Sequence, residues 1–304
     1  MTDVNISRTN IAALATIIAS KSLETLHGML IAPQVTRLDY RNEVATKGKT
    51  VSINKYSAGY VANDKAEDAE VTIQTRSSTL VPVNLDIHKE TTFLIEDAVS
   101  ALSNVQLLAE NIQEGVKTIA ESVDSYVFGL YSGFTAIDAT STNGPIDQAD
   151  FKTAMLALNK ANVPFSDRYA ILSADDHSLV SEFTELKNRD YTGDNAILAN
   201  QGQALPLYKT FQPIMSNFVK TASSEYKNLF MHKNAIALVS RPLPTDAGMF
   251  GGGVQTVMEE NGIYIRTTLS YAHKSLGVLC SIDTLFGAAV LDSTRGRVVR
   301  TTAA

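Results

Sequence analysis

The chain has 304 residues, of which 44% are hydrophobic and 19% are charged, and its formal net charge is −6. This length is enough for one large domain or two moderate ones with a packed core. The acidic balance argues against a free-standing nucleic-acid binder, which normally has a basic surplus. The single cysteine, Cys280, excludes an intrachain disulfide framework and a multi-cysteine zinc site.

The first predicted element is an amphipathic helix over residues 11–27, which Gly28 would end. The most apolar part of this region, residues 11–19, is too short to span a membrane. Asp3 and Arg8 leave no net positive charge in front of it, so the region does not fit a signal peptide. We therefore expect a helical N-terminal arm and no membrane segment there.

Residues 51–87 alternate apolar and polar side chains at both ends, which indicates strands with one apolar and one wet face. The apolar positions are Val51, Ile53, Val71, Ile73, Val81, Val83, Leu85 and Ile87, and the last run continues in phase to Ile95. Between the two ends, residues 59–70 are mostly small and charged. The pattern predicts a long hairpin with a polar tip. Because a two-stranded ribbon alone is barely stable in water, its apolar side must be covered.

A long amphipathic helix is predicted for residues 104–131, and Ser103 and Gln106 fit a capping box at its start. Apolar side chains recur along it at spacings of three and four, at Val105, Leu108, Ile112, Val116, Ile119, Val123 and Val127. The stripe lasts only about three heptads and Gly115 interrupts it, so a helix lying on a sheet is favoured over a coiled coil.

The next region has the pattern of an α/β lobe. Asp147 or Asp150 can begin a helix, residues 168–173 form a short buried strand, and Ser173 can cap a second helix.

The last part of the chain returns to strands. Residues 254–258 and 263–271 alternate on either side of the tight-turn pair Asn261-Gly262, which predicts a second hairpin.

The dense acid–imidazole cluster of the sequence is formed by Asp175, Asp176 and His177. Metal ligands converge from different elements or lie one helical turn apart, whereas three consecutive side chains point in different directions. Helix capping explains the two aspartates, since negative charge is favoured at a helix N-terminus. Nothing assembles a nucleophile, a base and an oxyanion site. We expect no catalytic, cofactor or metal site, and this cluster is the best candidate for the alternative, an enzyme.

The order of these elements resembles the major capsid proteins of tailed double-stranded-DNA bacteriophages, which have the Hong Kong 97-type fold. The resemblance covers essentially the whole chain and is most specific in four stretches, none of which is a catalytic motif. They are GKTVSINKYSAGYVANDKAEDAEVTIQTRSSTLVPVNLDIHKETTFLIED (48–97), SNVQLLAENIQEGVKTIAESVDSYVFGL (103–130), ALNKANVPFSDRYAILSADDHSLV (157–180) and SIDTLFGAAVLDSTRGRVV (281–299).

The resemblance implies an α+β fold with five parts. These are an N-terminal arm (1–49), an extended E-loop hairpin (50–80), a peripheral domain with a long spine helix (81–133), an axial α/β lobe (134–254) and the return strands of the peripheral domain (255–304). In this family the E-loop lies over a neighbouring subunit, so we expect another copy of the chain to cover the hairpin's apolar side. The E-loop tip would then place Lys65, Glu67, Asp68 and Glu70 at the intersubunit interface, where ion pairs set register more than affinity.

The resemblance further implies a structural protein that self-assembles into pentamers and hexamers of an icosahedral shell around the phage genome. Such a shell is assembled in the bacterial host cytoplasm, becomes part of the virion, and encloses double-stranded DNA without sequence-specific binding. The implied partners are other copies of the chain, a portal, and a cement or decoration protein. The arm begins within a few residues of Met1, so we also expect a separate scaffolding protein. No cofactor is implied.

Two further expectations follow from the family. Some members join subunits through a lysine–asparagine isopeptide bond, and Lys65 is suitably placed on the E-loop for one. Since no asparagine occurs after Asn261, we do not expect this cross-link. The alternative function is the shell of an encapsulin-type nanocompartment, which has the same fold and which the sequence separates poorly from a phage capsid.

Overall fold

The computed structural model describes residues 30–38, 48–56, 59–97, 107–138, 144–187, 205–245, 254–260 and 262–302. The predicted N-terminal helix over residues 11–27, the capping box at Ser103 and the turn residue Asn261 lie outside these ranges.

The described helices are α1 (Ala32–Val35), α2 (Leu107–Phe128), α3 (Gln148–Lys160), α4 (Ala174–Ser181) and α5 (Thr184–Lys187). The strands are β1 (Thr50–Tyr56), β2 (Ser78–Asn84), β3 (Ile87–Glu96), β4 (Thr135–Asp138), β5 (Arg168–Leu172), β6 (Gln212–Met215), β7 (Thr221–Ala222), β8 (Glu225–His232), β9 (Ile236–Arg241), β10 (Val254–Glu260), β11 (Ile263–Ala272), β12 (Gly277–Val290) and β13 (Gly296–Thr302). Short 3-10 helices occupy Gly129–Gly133, Lys233–Ala235 and Ser293–Arg295.

These strands form three sheets. β1 and β2 make an antiparallel ribbon. A five-stranded sheet has the order β10-β11-β12-β3, and β9 pairs with the end of β12 beyond β11. A six-stranded sheet has the order β4-β13-β8-β5-β6, with β7 on β8. Two pairs in it, β4 with β13 and β5 with β6, are parallel. The architecture is therefore α+β, as the family resemblance implies.

The long helix α2 lies on the five-stranded sheet. The apolar stripe predicted from the sequence is buried at Val116, Ile119 and Val123, in one cluster with Ile282 and Phe286 of β12. Burying each such side chain stabilises the fold by about 1.5–3 kcal/mol. The prediction of a helix packed on a sheet, and not of a coiled coil, is confirmed. The helix ends at Phe128, where the 3-10 turn begins.

The six-stranded sheet packs with α3 and α4 around a second core. Phe151 of α3 is fully buried and meets four aromatic rings edge-on, those of Phe183, Tyr208, Phe211 and Phe230, at centroid distances of 4.9–6.4 Å. The predicted start of α3 is confirmed, because Asp147 Oδ1 accepts from the Ala149 and Asp150 amides. Asp150 Oδ2 in turn accepts from the Asp147 amide. This capping box satisfies amides that the helix itself leaves unpaired.

The hairpin differs from its prediction in two respects. Val71 and Ile73 lie in an irregular segment and not in a strand; the partners of Val51 and Ile53 are Val83 and Val81. The second alternating run also divides after Asn84, so that β2 belongs to the ribbon and β3 to the five-stranded sheet. The alternation stays in phase across the break, and for that reason the sequence alone gives no sign of it.

The base of the hairpin is covered by the same chain. Val51, Ile53 and Val83 are buried against Ala237 and Val239 of β9. The expectation that another copy covers the hairpin's apolar side is therefore wrong for the base. A short ribbon that packs on the main body no longer needs a partner subunit to be stable. The exposed part of the hairpin begins beyond the ribbon, in residues 59–77.

Asp124 of α2 holds the first described segment of the chain. Its carboxylate is 1% exposed and accepts hydrogen bonds from the amides of Ile31, at 3.1 Å, and Ala32, at 2.9 Å, at the start of α1. Burial raises the pKa of Asp124 to about 6, although these two hydrogen bonds act to lower it. The arm is thus anchored by a carboxyl group that binds a proton more tightly in the folded chain than in the unfolded one.

This anchor predicts a pH dependence of stability. Since the folded pKa lies above the unfolded value of 3.8, the contribution of Asp124 is greatest below pH 3.8 and is lost as the pH rises through about 6. We expect its loss to lower the free energy of unfolding by up to about 3 kcal/mol. The contribution of Asp124 is measured by urea unfolding of the native chain and of Asp124→Asn, each at about pH 4 and about pH 7. Equal pH dependence of the two proteins would contradict the prediction.

Candidate functional site

The hairpin tip is a loop without helix or strand at residues 59–77. Gln74 joins its two legs, because its side-chain amide donates to the Val61 carbonyl oxygen at 2.6 Å and its side-chain oxygen accepts from the Val61 amide at 2.8 Å. At the far end, the Ala69 amide donates to the Ala66 carbonyl oxygen, and Asp68 has a φ of 61°. Aspartate is among the residues that tolerate this left-handed conformation. The predicted tip residues Lys65, Glu67, Asp68 and Glu70 surround this turn and are all exposed.

The tip also exposes large apolar side chains. The exposed fraction is 90% for Ile73, 70% for Val71 and 69% for both Tyr60 and Val61. Isolated apolar residues on a surface are ordinary, but four large ones exposed on one loop are a feature that favours a protein–protein contact. This apolar surface was not among the predicted interface residues, although the alternation of Val71 and Ile73 contained the signal.

The Asp175–His177 cluster is divided between the interior and the surface. Asp176 is 2% exposed, and its Oδ2 accepts from Ser173 Oγ at 2.8 Å, Asn228 Nδ2 at 2.6 Å and Thr301 Oγ1 at 2.6 Å. Asp175 instead faces outward and accepts from the Tyr226 hydroxyl at 2.6 Å. Burial lowers the pKa of His177. The carboxyl group of Asp176 therefore ties α4 to β8 and β13, which is a structural role.

A second, partly buried network of polar side chains crosses the five-stranded sheet. Arg266 of β11 donates from Nε and Nη2 to the two carboxylate oxygens of Asp283 on β12, at 3.0 and 2.6 Å. His88 Nε2 of β3 lies 2.8 Å from Asp283 Oδ2. Within the described ranges, no group of three or more His, Cys, Asp or Glu side chains is arranged to hold a metal ion. This network has no signature in the sequence, since His88 lies 195 residues from Asp283 along the chain.

A basic pocket of about 250 Å³ opens beside the ribbon. Four cationic side chains line it, those of Arg37, Lys55, Arg76 and Arg295, together with the carboxylate of Asp292. Lys55 Nζ and Arg295 Nε lie 3.0 and 3.3 Å from the oxygens of Asp292. We call this the basic pocket. No pattern in the sequence indicates this pocket, since its residues come from five separate segments of the chain.

No family model and no curated protein matches the sequence. Several solved structures match the fold. One, of Mycobacterium phage Che8, has a TM-score of 0.65 and 21% identity, covering 89% of this chain and 90% of that one. The capsid structure of the Cyanophage P-SCSP1u has a TM-score of 0.60 and 13% identity, covering 85% of each chain. A virus-like particle from Pyrococcus furiosus has a TM-score of 0.51 and 10% identity, covering 94% of this chain and 99% of that one.

These identities are low, so the likeness is one of fold. No helix among the described residues is long and apolar enough to cross a membrane. The chain combines a long helix, two main sheets and a projecting hairpin. Solved phage capsid structures match this chain over most of its length. The chain has the Hong Kong 97-like α+β fold of tailed-phage major capsid proteins.

Proposed function

We propose that this chain is the major capsid protein of a tailed bacteriophage, which assembles into pentamers and hexamers of an icosahedral shell. The observation that carries the proposal is the apolar surface of the hairpin tip, displayed on a chain with this fold. Ile73 at 90% exposed and Val71 at 70% are not covered by the described part of their own chain. If a second subunit covers them, each side chain that becomes fully buried would favour assembly by about 1.5–3 kcal/mol.

The proposed parts of the subunit are the arm (1–49), the E-loop (50–80), the peripheral domain with the spine helix α2 (81–133 and 255–304) and the axial lobe (134–254). Two strands cross this division. β9 pairs with β12 in the five-stranded sheet, and β13 pairs with β4 and β8 in the six-stranded sheet. Because each part contributes a strand to the sheet of the other, the peripheral domain and the axial lobe of a subunit would be joined rigidly.

The charge of the chain suits a shell that encloses DNA without binding it tightly. With a net charge of −6, the subunit repels the phosphate backbone on average, so packaged DNA would remain free to leave. The proposed partners are other copies of the chain, a separate scaffolding protein, a portal, and a cement or decoration protein. Assembly would take place in the bacterial host cytoplasm and the product would be the virion. The proposal includes no enzymatic activity and no cofactor.

The test is the size of what the chain forms. The chain is expressed alone and together with the genes next to its own, and the products are measured by light scattering and negative-stain electron microscopy. We expect uniform closed shells of many copies. A stable monomer or dimer under every condition, including with a scaffolding partner, would overturn the proposal.

The second candidate function is the shell of an encapsulin-type nanocompartment. The observation in its favour is the likeness to the Pyrococcus furiosus virus-like particle, which extends over 94% of this chain. The contents of purified particles separate the two functions. Genomic DNA and a portal vertex would support the capsid, whereas an enzyme cargo would support the nanocompartment.

A further inference from the structure

We propose that neighbouring subunits meet helix against helix, with the basic outer face of α3 on one copy lying against the acidic outer face of α4 on the next. The inference rests on the proposed self-assembly and names the two surfaces by which adjacent copies in a pentamer or hexamer would hold each other. Every copy carries both faces, so each would offer one face and receive the other.

The outer face of α3 is basic. Lys152, Leu156 and Lys160 are exposed and follow one another at spacings of four residues, so they lie along one side of the helix. The acidic residue within α3, Asp150, is 1% exposed and does not belong to this row. Leu156, which is 49% exposed, occupies the middle. This face therefore presents a leucine between two ammonium groups.

The outer face of α4 has the opposite charge. Asp175, Leu179 and Glu182 are exposed at spacings of four and three residues, and Glu182 directly follows the last residue of the helix. Asp175 accepts a hydrogen bond from the Tyr226 hydroxyl, which is neutral and leaves the carboxylate charged. The neighbouring His177 adds no positive charge at neutral pH, because burial lowers its pKa. This face therefore presents a leucine between two carboxylates.

The two faces also match in length. At the usual helical rise, the two lysines are about 12 Å apart along α3 and the two carboxylates about 11 Å apart along α4. The leucine lies near the middle of each row. If the helices lie side by side, both ends can therefore pair an ammonium group with a carboxylate while the leucines meet between them.

The sheet places the two helices where neighbouring copies can join them. α3 packs over β4 and β13, and α4 packs over β5 and β6. In the strand order β4-β13-β8-β5-β6, these are opposite edges of one sheet. Both helices cover the same side of it, since Phe151 of α3 and Val180 of α4 belong to one buried cluster. A contact between opposite edges of two copies is heterologous and can repeat around a closed ring.

The charges select this arrangement over its alternatives. None of the ion pairs among the described residues uses Lys152, Lys160, Asp175 or Glu182. Two α3 faces would bring lysine against lysine, and two α4 faces would bring carboxylate against carboxylate, so both two-fold pairings are repelled. Exposed ion pairs contribute little energy each, and their effect here is to fix the neighbour and the register.

The direct test is cross-linking of assembled shells. Leu156→Cys/Leu179→Cys is assembled, treated with a short bis-maleimide reagent and separated on a denaturing gel. We expect a series of joined chains that ends at the pentamer or hexamer, since each copy would be linked on both sides. Cys280 is fully buried, and burial raises its pKa to about 11, so it should not react.

The two single-cysteine variants, Leu156→Cys and Leu179→Cys, are the matched controls for cross-linking. Each should give no joined chains, because the proposed contact never brings two copies of the same position together. A double variant that gives no more joined chains than these two controls would overturn the inference.

An independent test exchanges the charges of the two faces in the full-length chain. The α3 variant is Lys152→Glu/Lys160→Glu, and the α4 variant is Asp175→Lys/Glu182→Lys. Under conditions where the unmodified chain forms shells, we expect each variant alone to yield about tenfold less assembled protein, since like charges would face each other. The combined variant should assemble again. If it unfolds in urea like the unmodified chain and still assembles no better than the single variants, the inference is wrong.

A further control separates local pairing from total charge. Joining the α3 variant to Glu110→Lys/Glu114→Lys, at two exposed positions of α2, restores the original net charge without restoring the proposed contact. We expect no recovery of assembly from this combination. Recovery equal to that of the combined α3 and α4 variant would contradict the inference.

The remaining outcomes distinguish this contact from the proposed function. If the α3 variant fails to assemble while the α4 variant assembles normally, the basic face binds an anion other than α4, and the inference is overturned. If both variants assemble like the unmodified chain, neighbouring copies meet elsewhere and the proposed function stands without this contact. Failure of the unmodified chain to form any shell would instead refute the proposed function, and this inference with it.

Discussion

Replacing Asp176 by alanine is expected to lower the free energy of unfolding by about 3–5 kcal/mol. One carboxylate oxygen accepts from Ser173, Asn228 and Thr301, and the site is 2% exposed. Alanine would leave these three donors without that partner in a place that water does not reach. Urea unfolding of the variant beside the native chain measures the loss.

Two comparisons make this prediction specific. Asp176→Asn should lose less stability than Asp176→Ala, because a single amide oxygen can replace the one carboxylate oxygen that accepts all three hydrogen bonds. Asp175→Ala removes one exposed hydrogen bond, to Tyr226, and should change stability by less than about 1 kcal/mol. Equal losses in Asp175→Ala and Asp176→Ala would show that the buried network does not hold α4 to the sheet.

The same variants address the alternative that this chain is an enzyme. Asp176 is committed to three structural hydrogen bonds, and its neighbour Asp175 points away from it to Tyr226. A general acid or base must lie within hydrogen-bond reach of the substrate atom that it serves. Asp176 is buried and its Oδ2 already accepts three hydrogen bonds, so it is a poor candidate for a general acid or base. Its replacement should therefore change stability and assembly.

Features that depend on near neighbours could be predicted from the sequence. Ser173 was recognised as a helix cap, and Asp147 as one of two candidates with Asp150, because a cap bonds to amides two or three residues away. The hairpin of β10 and β11 was recognised from alternation around a turn pair. The stripe of α2 was recognised because burial on one face imposes the helical period.

Features that depend on distant pairing could not be predicted. The alternation of Val71 and Ile73 is typical of a strand, yet a strand also needs a partner, and β1 pairs instead with residues 78–84. The cover of the ribbon base comes from β9, more than 180 residues from Val51 in sequence. The acidic tip is one continuous segment and was recognised, whereas the basic pocket combines five segments and was not.

The point where the ribbon meets the five-stranded sheet predicts a second large effect, at Gly287 of β12. A Cβ atom added there would lie well inside contact distance of the Asn84 carbonyl oxygen and 2.8 Å from its carbonyl carbon. Both are backbone atoms, so no side-chain rotation can relieve the clash. Gly287→Ala must therefore separate β12 from the end of β2.

That separation would open the small cluster of Val51, Ile53 and Val83 against β9. We expect Gly287→Ala to lower the free energy of unfolding by about 3 kcal/mol or more, measured by urea unfolding. Gly59→Ala is the matched control, because a Cβ at that hairpin position meets nothing within 4 Å, and its effect should stay within about 0.5 kcal/mol. Since the ribbon base directs the tip, Gly287→Ala should also reduce shell formation. If Gly287→Ala is as stable as Gly59→Ala and forms shells as well, the base of the hairpin does not set the direction of the tip.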